Sequence, residues 1–299
     1  MKTLKNLMVF IAILPVVSAC LEKGEKSDAY GNFEAREIIV SSEVQGKILK
    51  LMVEEGQILP ANEVVGLVDT VQPYLKKEQL VAQKYAVSTK LNNIHAQINV
   101  QNEQKKILVK EKNRFENLLK DGAATTKQLD DIAGKINLIN SQIESIRTQK
   151  STVLSELTAI NKQIEQIEDQ IKRCKIINPI FGTVLEKYIE PHEIVIPGRA
   201  IYKIADLREM ILRVYISGNQ LSRISIGQKV EVLIDKNERE TRVLEGTVSW
   251  ISQQAEFTPK IIQTKEERVN LVYAVKVHMK NDGSLKIGMP GEVNFKNHE

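Results

Sequence analysis

Gly46-Lys47-Ile48-Leu49-Lys50-Leu51-Met52-Val53 has a counterpart far downstream, Gly182-Thr183-Val184-Leu185-Glu186-Lys187-Tyr188-Ile189. The offset is 136 residues, and it holds beyond the two octets: Ile58 aligns with Ile194, Val65 with Ile201 and Val68 with Ile204. Each copy reads as short alternating strands with turn punctuation. Neither copy can bury its apolar face alone. Packed together, half 1 (residues 39–71) and half 2 (residues 175–205) predict one small β-sandwich. His192 stands where the first copy has Gly56, and reads as a turn or surface residue rather than a ligand.

The stretch that separates the halves, residues 72–174, has no proline beyond Pro73 and only two glycines, Gly122 and Gly134. Its second arm is strictly periodic. Leu129, Ile136, Ile143, Lys150, Leu157, Ile164 and Ile171 recur every seven residues. Three residues after each of them come Ile132, Ile139, Ile146, Val153, Ile160, Ile167 and Cys174. This is a heptad seam, in which Cys174 reads as a small packed residue rather than a reactive thiol. The first arm carries a weaker seam (Leu80, Val87, Ile94, Gln101, Leu108 and Phe115) interrupted by Lys84, Lys105 and Lys112. Between the arms lies Lys120-Asp121-Gly122-Ala123-Ala124-Thr125-Thr126. Gly122 can end the first helix and either Thr125 or Thr126 can cap the second. An antiparallel coiled-coil hairpin with its tip at about residues 120–127 follows, each arm reaching about 70 Å. The split halves resemble a biotinyl/lipoyl carrier fold cut in two. The hairpin that bears the modified lysine in such carriers is here replaced by the long insert after Asp69, so no lipoyl or biotinyl lysine is expected.

From residue 206 to 299 strands replace helices, including Met210–Ile216, Lys229–Ile234, Leu244–Ile251, Val269–Val277 and Leu285–Val293. A small β-barrel is predicted. At the other end, Lys2 and Lys5 precede an eleven-residue apolar run, Leu7–Val17, of signal-peptide length and too short to span a bilayer. Val17-Ser18-Ala19-Cys20 resembles the bacterial lipobox, which implies removal of residues 1–19 and lipidation of Cys20. Several acyl chains on one site hold a protein stably on a membrane. Residues 20–38 then read as a lipid-anchored tether and first strand, with Glu22 to Asn32 as the polar tether.

Near the turn, Arg114 and Leu118 lie four residues apart on one helix face, and Thr125 follows seven beyond. With Asn113-Arg114-Phe115-Glu116-Asn117-Leu118-Leu119, this resembles the hairpin-tip signature of the HlyD-like membrane fusion proteins, the periplasmic adaptors of tripartite exporters. The family signature has Ser where this chain has Thr125, which keeps the hydroxyl and adds a methyl. The runs Ala255–Lys260 and Gln263–Arg268, and Gly288-Met289-Pro290-Gly291, resemble the same family. The resemblance covers the chain after residue 19 in order. It implies an α+β fold: a split lipoyl-like β-sandwich, an inserted antiparallel coiled-coil α-hairpin and a following small β-barrel, elongated as a whole. It implies docking of Arg114, Leu118 and Thr125 on a TolC-like outer-membrane channel. It also implies an inner-membrane transporter as partner, a homo-oligomeric ring of about six, and a periplasmic location with the inner membrane favoured for the anchor. Only eight residues follow Gly291, which favours the shorter adaptors of ABC-type exporters.

Composition restricts the alternatives. The net charge is +4, from 42 basic and 38 acidic residues without a concentrated basic face, so a nucleic-acid partner is not expected. Two cysteines, Cys20 and Cys174, exclude a disulfide framework. No GxxxxGK[ST], HExxH, CxxC or GxSxG motif occurs, and His95, His192, His278 and His298 are scattered. The chain therefore reads as non-catalytic, without cofactor or metal. A coiled-coil structural lipoprotein without a transport role, and a lipoyl or biotinyl carrier, are the rival readings.

Overall fold

The computed structural model describes residues 27–235, 240–257 and 271–295. The early strands are β1 (Ala29–Glu34), β2 (Glu37–Ser41), β3 (Gly46–Leu51), β4 (Ile58–Leu59) and β5 (Val64–Val68). Two helices follow, α1 (Val71–Lys120) and α2 (Thr126–Arg173). Then come β6 (Lys175–Ile177), β7 (Gly182–Lys187), β8 (Ile194–Val195), β9 (Ala200–Ala205) and β10 (Glu209–Ser217). The last are β11 (Lys229–Asp235), β12 (Thr241–Ile251), β13 (Glu256–Phe257), β14 (Leu271–Lys280) and β15 (Pro290–Asn294). The chain divides into two compact units, one of residues 38–204 and one formed by residues up to 37 with 205–299.

In the first unit the 136-residue repeat becomes a pair of four-stranded sheets, ordered β2-β9-β7-β4 and β6-β5-β3-β8. Adding the offset to β3, β4 and β5 gives the starts of β7, β8 and β9, and turns the first sheet order into the second. The two halves thus exchange strands: each sheet takes two strands from each. One apolar core lies between them, with Ile48, Val53, Val68, Ile201 and Ile204 fully buried. Each such side chain contributes roughly 1.5–3 kcal/mol on burial. The equivalence extends to the turns. Gly56 N–H donates to the Val184 carbonyl at 2.9 Å, and His192 N–H donates to the Ile48 carbonyl at 2.8 Å. Both residues are left-handed, with φ of +81° and +77°. His192 is a turn residue in a glycine conformation, which an L side chain adopts only with strain.

The second unit is a closed antiparallel barrel. Strands β10, β1, β15, β11, β12 and β14 pair in that order, β14 returns to β10, and β13 adds to β14. Strict alternation along β10 sends Met210, Leu212, Val214 and Ile216 into the core, where Phe33, Val232, Val277 and Val293 meet them. Two sequence expectations are corrected here. Residues 29–32, read as tether, belong to β1, which closes the barrel between β10 and β15. Of the last expected strand, 285–293, only the end from Pro290 is regular strand; Gly288, at φ +80°, turns the chain first, and Gly288 and Met289 bond to Phe33 of β1.

Candidate docking site at the hairpin tip

The hairpin is fixed at its base by the sandwich. Leu67 and Lys175 are paired across β5 and β6, so the chain leaves and re-enters the sheet at neighbouring points. The Asp69 carboxylate accepts from Val71 N–H at 2.9 Å and caps the start of α1. At the far end Arg173 donates to Asp169 at 2.6 Å and to Glu43 at 2.7 Å, fastening α2 to the β2–β3 loop. Cys174 is buried in the sandwich core, and burial first, then the Asp69 charge, pushes its thiol up. A thiol so placed resists ionisation and packs as a small apolar residue.

From this base α1 and α2 run side by side for about 70–75 Å. Lys77 reaches Glu168 at 2.7 Å and Lys90 reaches Glu156 at 3.5 Å, each pair equidistant from the turn to within a residue, so the helices are antiparallel. All fourteen heptad positions read from the second arm are buried or half-buried; Ile132, Ile139, Ile143 and Ile160 are the deepest of those within α2, while the last, Cys174, packs into the sandwich core. In α1 the buried residues are Leu80, Val87 and Ile94, all in the half nearer the base. Exposed ion pairs add little to such a rod; the seam holds it. It loosens toward the middle, where the buried Oε1 of Gln101 has no hydrogen-bond partner among the described residues.

The tip is a tight, fully specified turn. Gly122 takes φ +72°, and Ala123 N–H donates back to the Leu118 carbonyl at 2.8 Å. These are the bonds of a helix ending on a left-handed glycine. Thr125 is the N-cap of α2, the first of the two threonines considered. Its Oγ1 accepts from Gln128 N–H at 3.3 Å and donates to Gln128 Oε1 at 3.0 Å, while Gln128 Oε1 also accepts from Thr125 N–H at 2.9 Å. Such a capping box contributes about 1 kcal/mol. The Thr125 hydroxyl is therefore engaged within its own turn, and its methyl group is what remains to meet another surface.

Arg114 is exposed, with its guanidinium carbon 5.6 Å from the Phe115 ring centroid. The neighbouring Glu116 is held by Lys112 at 3.5 Å, and Arg114 has no carboxylate partner among the described residues. Leu118 is half-buried one turn further on. Arg114 and Leu118 share a face, while Thr125 sits across the turn at the head of α2. One feature was not singled out from the sequence. Val100, Ile107 and Arg114 recur every seven residues on the side of α1 opposite its seam, and Val100 and Ile107 are 55% and 65% exposed. Leu75 and Tyr85 continue that face toward the base, at 56% and 73% exposure. Helical periodicity half a turn away from the seam is the signal that could have found it.

Cys20 and the expected signal segment lie outside the described residues, as do Thr258–Arg268 of the barrel motif. Among the described residues no helix is long and apolar enough to cross a membrane, and no group of three or more His, Cys, Asp or Glu could hold a metal ion.

Comparison with known proteins agrees with this architecture. Residues 206–295 match the family described as LcnD-like, C-terminal domain. A UPF0194 membrane protein of Yersinia enterocolitica is 25% identical over 294 residues, covering 89% of this chain and 88% of that protein. A UPF0194 membrane protein of Citrobacter koseri is 24% identical, with 89% and 87% covered. Among solved structures, MacA from Actinobacillus actinomycetemcomitans superposes with a TM-score of 0.59 at 19% identity, covering 90% of this chain and 78% of that one. A membrane fusion protein from Streptococcus pneumoniae superposes with a TM-score of 0.55 at 15% identity, covering 90% and 98%.

Proposed function

We propose that this chain, which has the fold of the membrane fusion proteins, is a non-catalytic adaptor linking an inner-membrane exporter to an outer-membrane channel. The observation that carries it is the hairpin: two helices of about 50 residues, set into one sandwich at adjacent strands, present beside a rigid turn an arginine that has no counter-ion among the described residues. Such a tip offers a forked cationic donor, an apolar knob and a methyl group, which suits docking against the helical ends of another protein. We place Arg114, Leu118 and Thr125 in contact with a TolC-like channel. The lipoyl-like character of the sandwich rests on its two strand-exchanged halves. The transporter is proposed to be ABC-type on the strength of the sequence resemblance alone. The lipobox at Cys20 supports a lipid anchor that holds the chain in the periplasm, with the inner membrane favoured.

Self-association belongs to the same proposal. Among the described residues the apolar face of α1 opposite the seam has no partner, and an α-helix that is apolar on two sides is suited to two neighbours. A ring of about six would give each hairpin those neighbours. The experiment is photo-crosslinking in cells from positions 114 and 118, with export sensitivity measured in a deletion strain. Tip adducts with an outer-membrane channel, lost in Arg114→Asp together with transport while folding and membrane attachment persist, are expected. Crosslinks to no envelope protein, with unchanged sensitivity on deletion across a broad panel of compounds, would reject the adaptor role in favour of a structural lipoprotein.

A further inference from the structure

We infer that the outer wall of the barrel carries a binding cleft for small organic cations with an apolar body. The inference is independent of the adaptor role. Barrel walls are ordinarily convex outward, so a hollow needs a cause. Here Gly31 and Gly291 lie directly opposite each other on β1 and β15. A Cβ on Gly31 would come within 1.8 Å of the Arg213 carbonyl oxygen, and one on Gly291 within 2.9 Å of the Phe33 ring. The two glycines let β1 close directly on the backbone of β10 and let β15 lie against the Phe33 and Leu212 side chains, and they leave no side chain at the centre of this part of the wall. The outer side of the same place is a cleft of about 360 Å³, within the usual range of small-molecule sites.

The side chains around it are set by register. Tyr215, Tyr30, Glu292 and Leu233 are consecutive cross-strand neighbours on β10, β1, β15 and β11. They therefore stand in one row at about 5 Å intervals on the same face. Asn32 and Asp235 lie two residues further along their strands and line the other side. Tyr30 is 51% exposed, so its ring is available to a ligand. Glu292 accepts from Ser27 Oγ, and neither Glu292 nor Asp235 has a cationic partner among the described residues. The adjacent cation, Arg213, lies 5.8 Å from the Tyr215 ring centroid, and its Nη2 donates to both oxygens of Glu256 at 2.9 and 3.1 Å. Its charge is thereby compensated, which leaves the cleft with two carboxylates beside two tyrosine rings. Ring faces and uncompensated carboxylates together favour an ammonium group over a neutral ligand. A sugar would find hydrogen-bond acceptors here, but nothing would reward its lack of charge.

The test is equilibrium dialysis of the full chain against benzyltrimethylammonium, with benzyl alcohol and methyl β-glucoside as uncharged arms. Saturable binding of the cation is expected, at least tenfold weaker in Tyr30→Ala, Glu292→Gln and Asp235→Asn, retained in Tyr30→Phe, and weakened by salt. Asp235 is exposed, so its variant separates loss of the site from loss of the fold. Absence of saturable binding, undiminished binding by Tyr30→Ala, Glu292→Gln and Asp235→Asn, equal uptake of benzyl alcohol, or preference for the glucoside would each overturn the assignment.

Discussion

Asn178→Ala should be the most damaging single polar substitution in the sandwich, and its cost can be built from three side-chain contacts. Asn178 has no exposed surface. Its Nδ2 donates to the Pro60 carbonyl at 2.7 Å and to the Ile180 carbonyl at 2.6 Å, and its Oδ1 accepts from the Tyr202 hydroxyl at 3.0 Å. Its own N–H donates to the Glu63 carbonyl at 2.8 Å, a bond that alanine keeps. Three side-chain bonds at about 1 kcal/mol each, plus about 1–3 kcal/mol for a buried Tyr hydroxyl left without a partner, give a loss of about 4–6 kcal/mol. Tyr202→Phe removes one of those bonds and should cost about 1 kcal/mol. The double variant should cost less than the sum, by about 2–4 kcal/mol, because the sum counts the shared bond twice and the double variant leaves no Tyr hydroxyl orphaned. Two units make a single global transition a poor readout. Hydrogen exchange followed by mass spectrometry resolves them: peptides from residues 175–205 should exchange roughly a thousandfold faster or more in Asn178→Ala. Barrel peptides should be unchanged. A loss below about 1 kcal/mol, or strict additivity with Tyr202→Phe, would show that the triad does not bear the load assigned to it.

The other expectations are smaller. His192→Gly should stabilise the sandwich by about 0.5–1 kcal/mol by relieving a left-handed φ, whereas Gly56→Ala at the equivalent turn should cost about 1 kcal/mol; denaturant midpoints of the two variants must move in opposite directions. Burial, then the Glu63 charge, raises the Tyr202 hydroxyl well above its ordinary value. The folded form therefore holds its proton while the unfolded tyrosine loses one near about pH 10, so stability should fall as pH rises above about 10. Tyr202→Phe should flatten that alkaline limb in a pH series of melts. Thr125→Ala should cost about 1 kcal/mol at the head of α2, seen as faster amide exchange over residues 126–129 with the seam unaffected. Val100→Lys with Ile107→Lys should leave helicity intact and lower the mass seen by light scattering, if the outer face of α1 mediates self-association.

How far a sequence shows such a fold depends on the range of the interactions that decide it. The second arm was legible residue by residue, because a repeat of 3.5 puts Leu129 through Cys174 on one stripe whatever else the chain does. The 136-residue repeat was legible for the same reason, since matching apolar positions demand matching strands. How those strands are shared was not. Nothing local in Gly46–Leu51 says that it pairs with β5 on one side and β8 on the other, so the exchange between halves appears only in three dimensions. The closing strand of the barrel was hidden still further. Ala29–Glu34 is short and polar at alternate positions, and pairs with partners 177 or more residues away. Its Gly31 looks like a linker residue until the approach of the Arg213 carbonyl shows why no side chain fits. At the tip, the spacing of Arg114 and Leu118 was readable and so was the choice of caps, but the use of the Thr125 hydroxyl was not. Gln128 takes it up, and this decides what the tip has left to offer a partner: a charge from Arg114, an apolar edge from Leu118 and a methyl from Thr125. Serine at position 125 would preserve the capping box and remove only that methyl. Thr125→Ser should therefore leave amide exchange at the head of α2 unchanged, and any loss in tip crosslinking would then measure the methyl contact alone. Unchanged crosslinking would confine the role of Thr125 to holding its own helix.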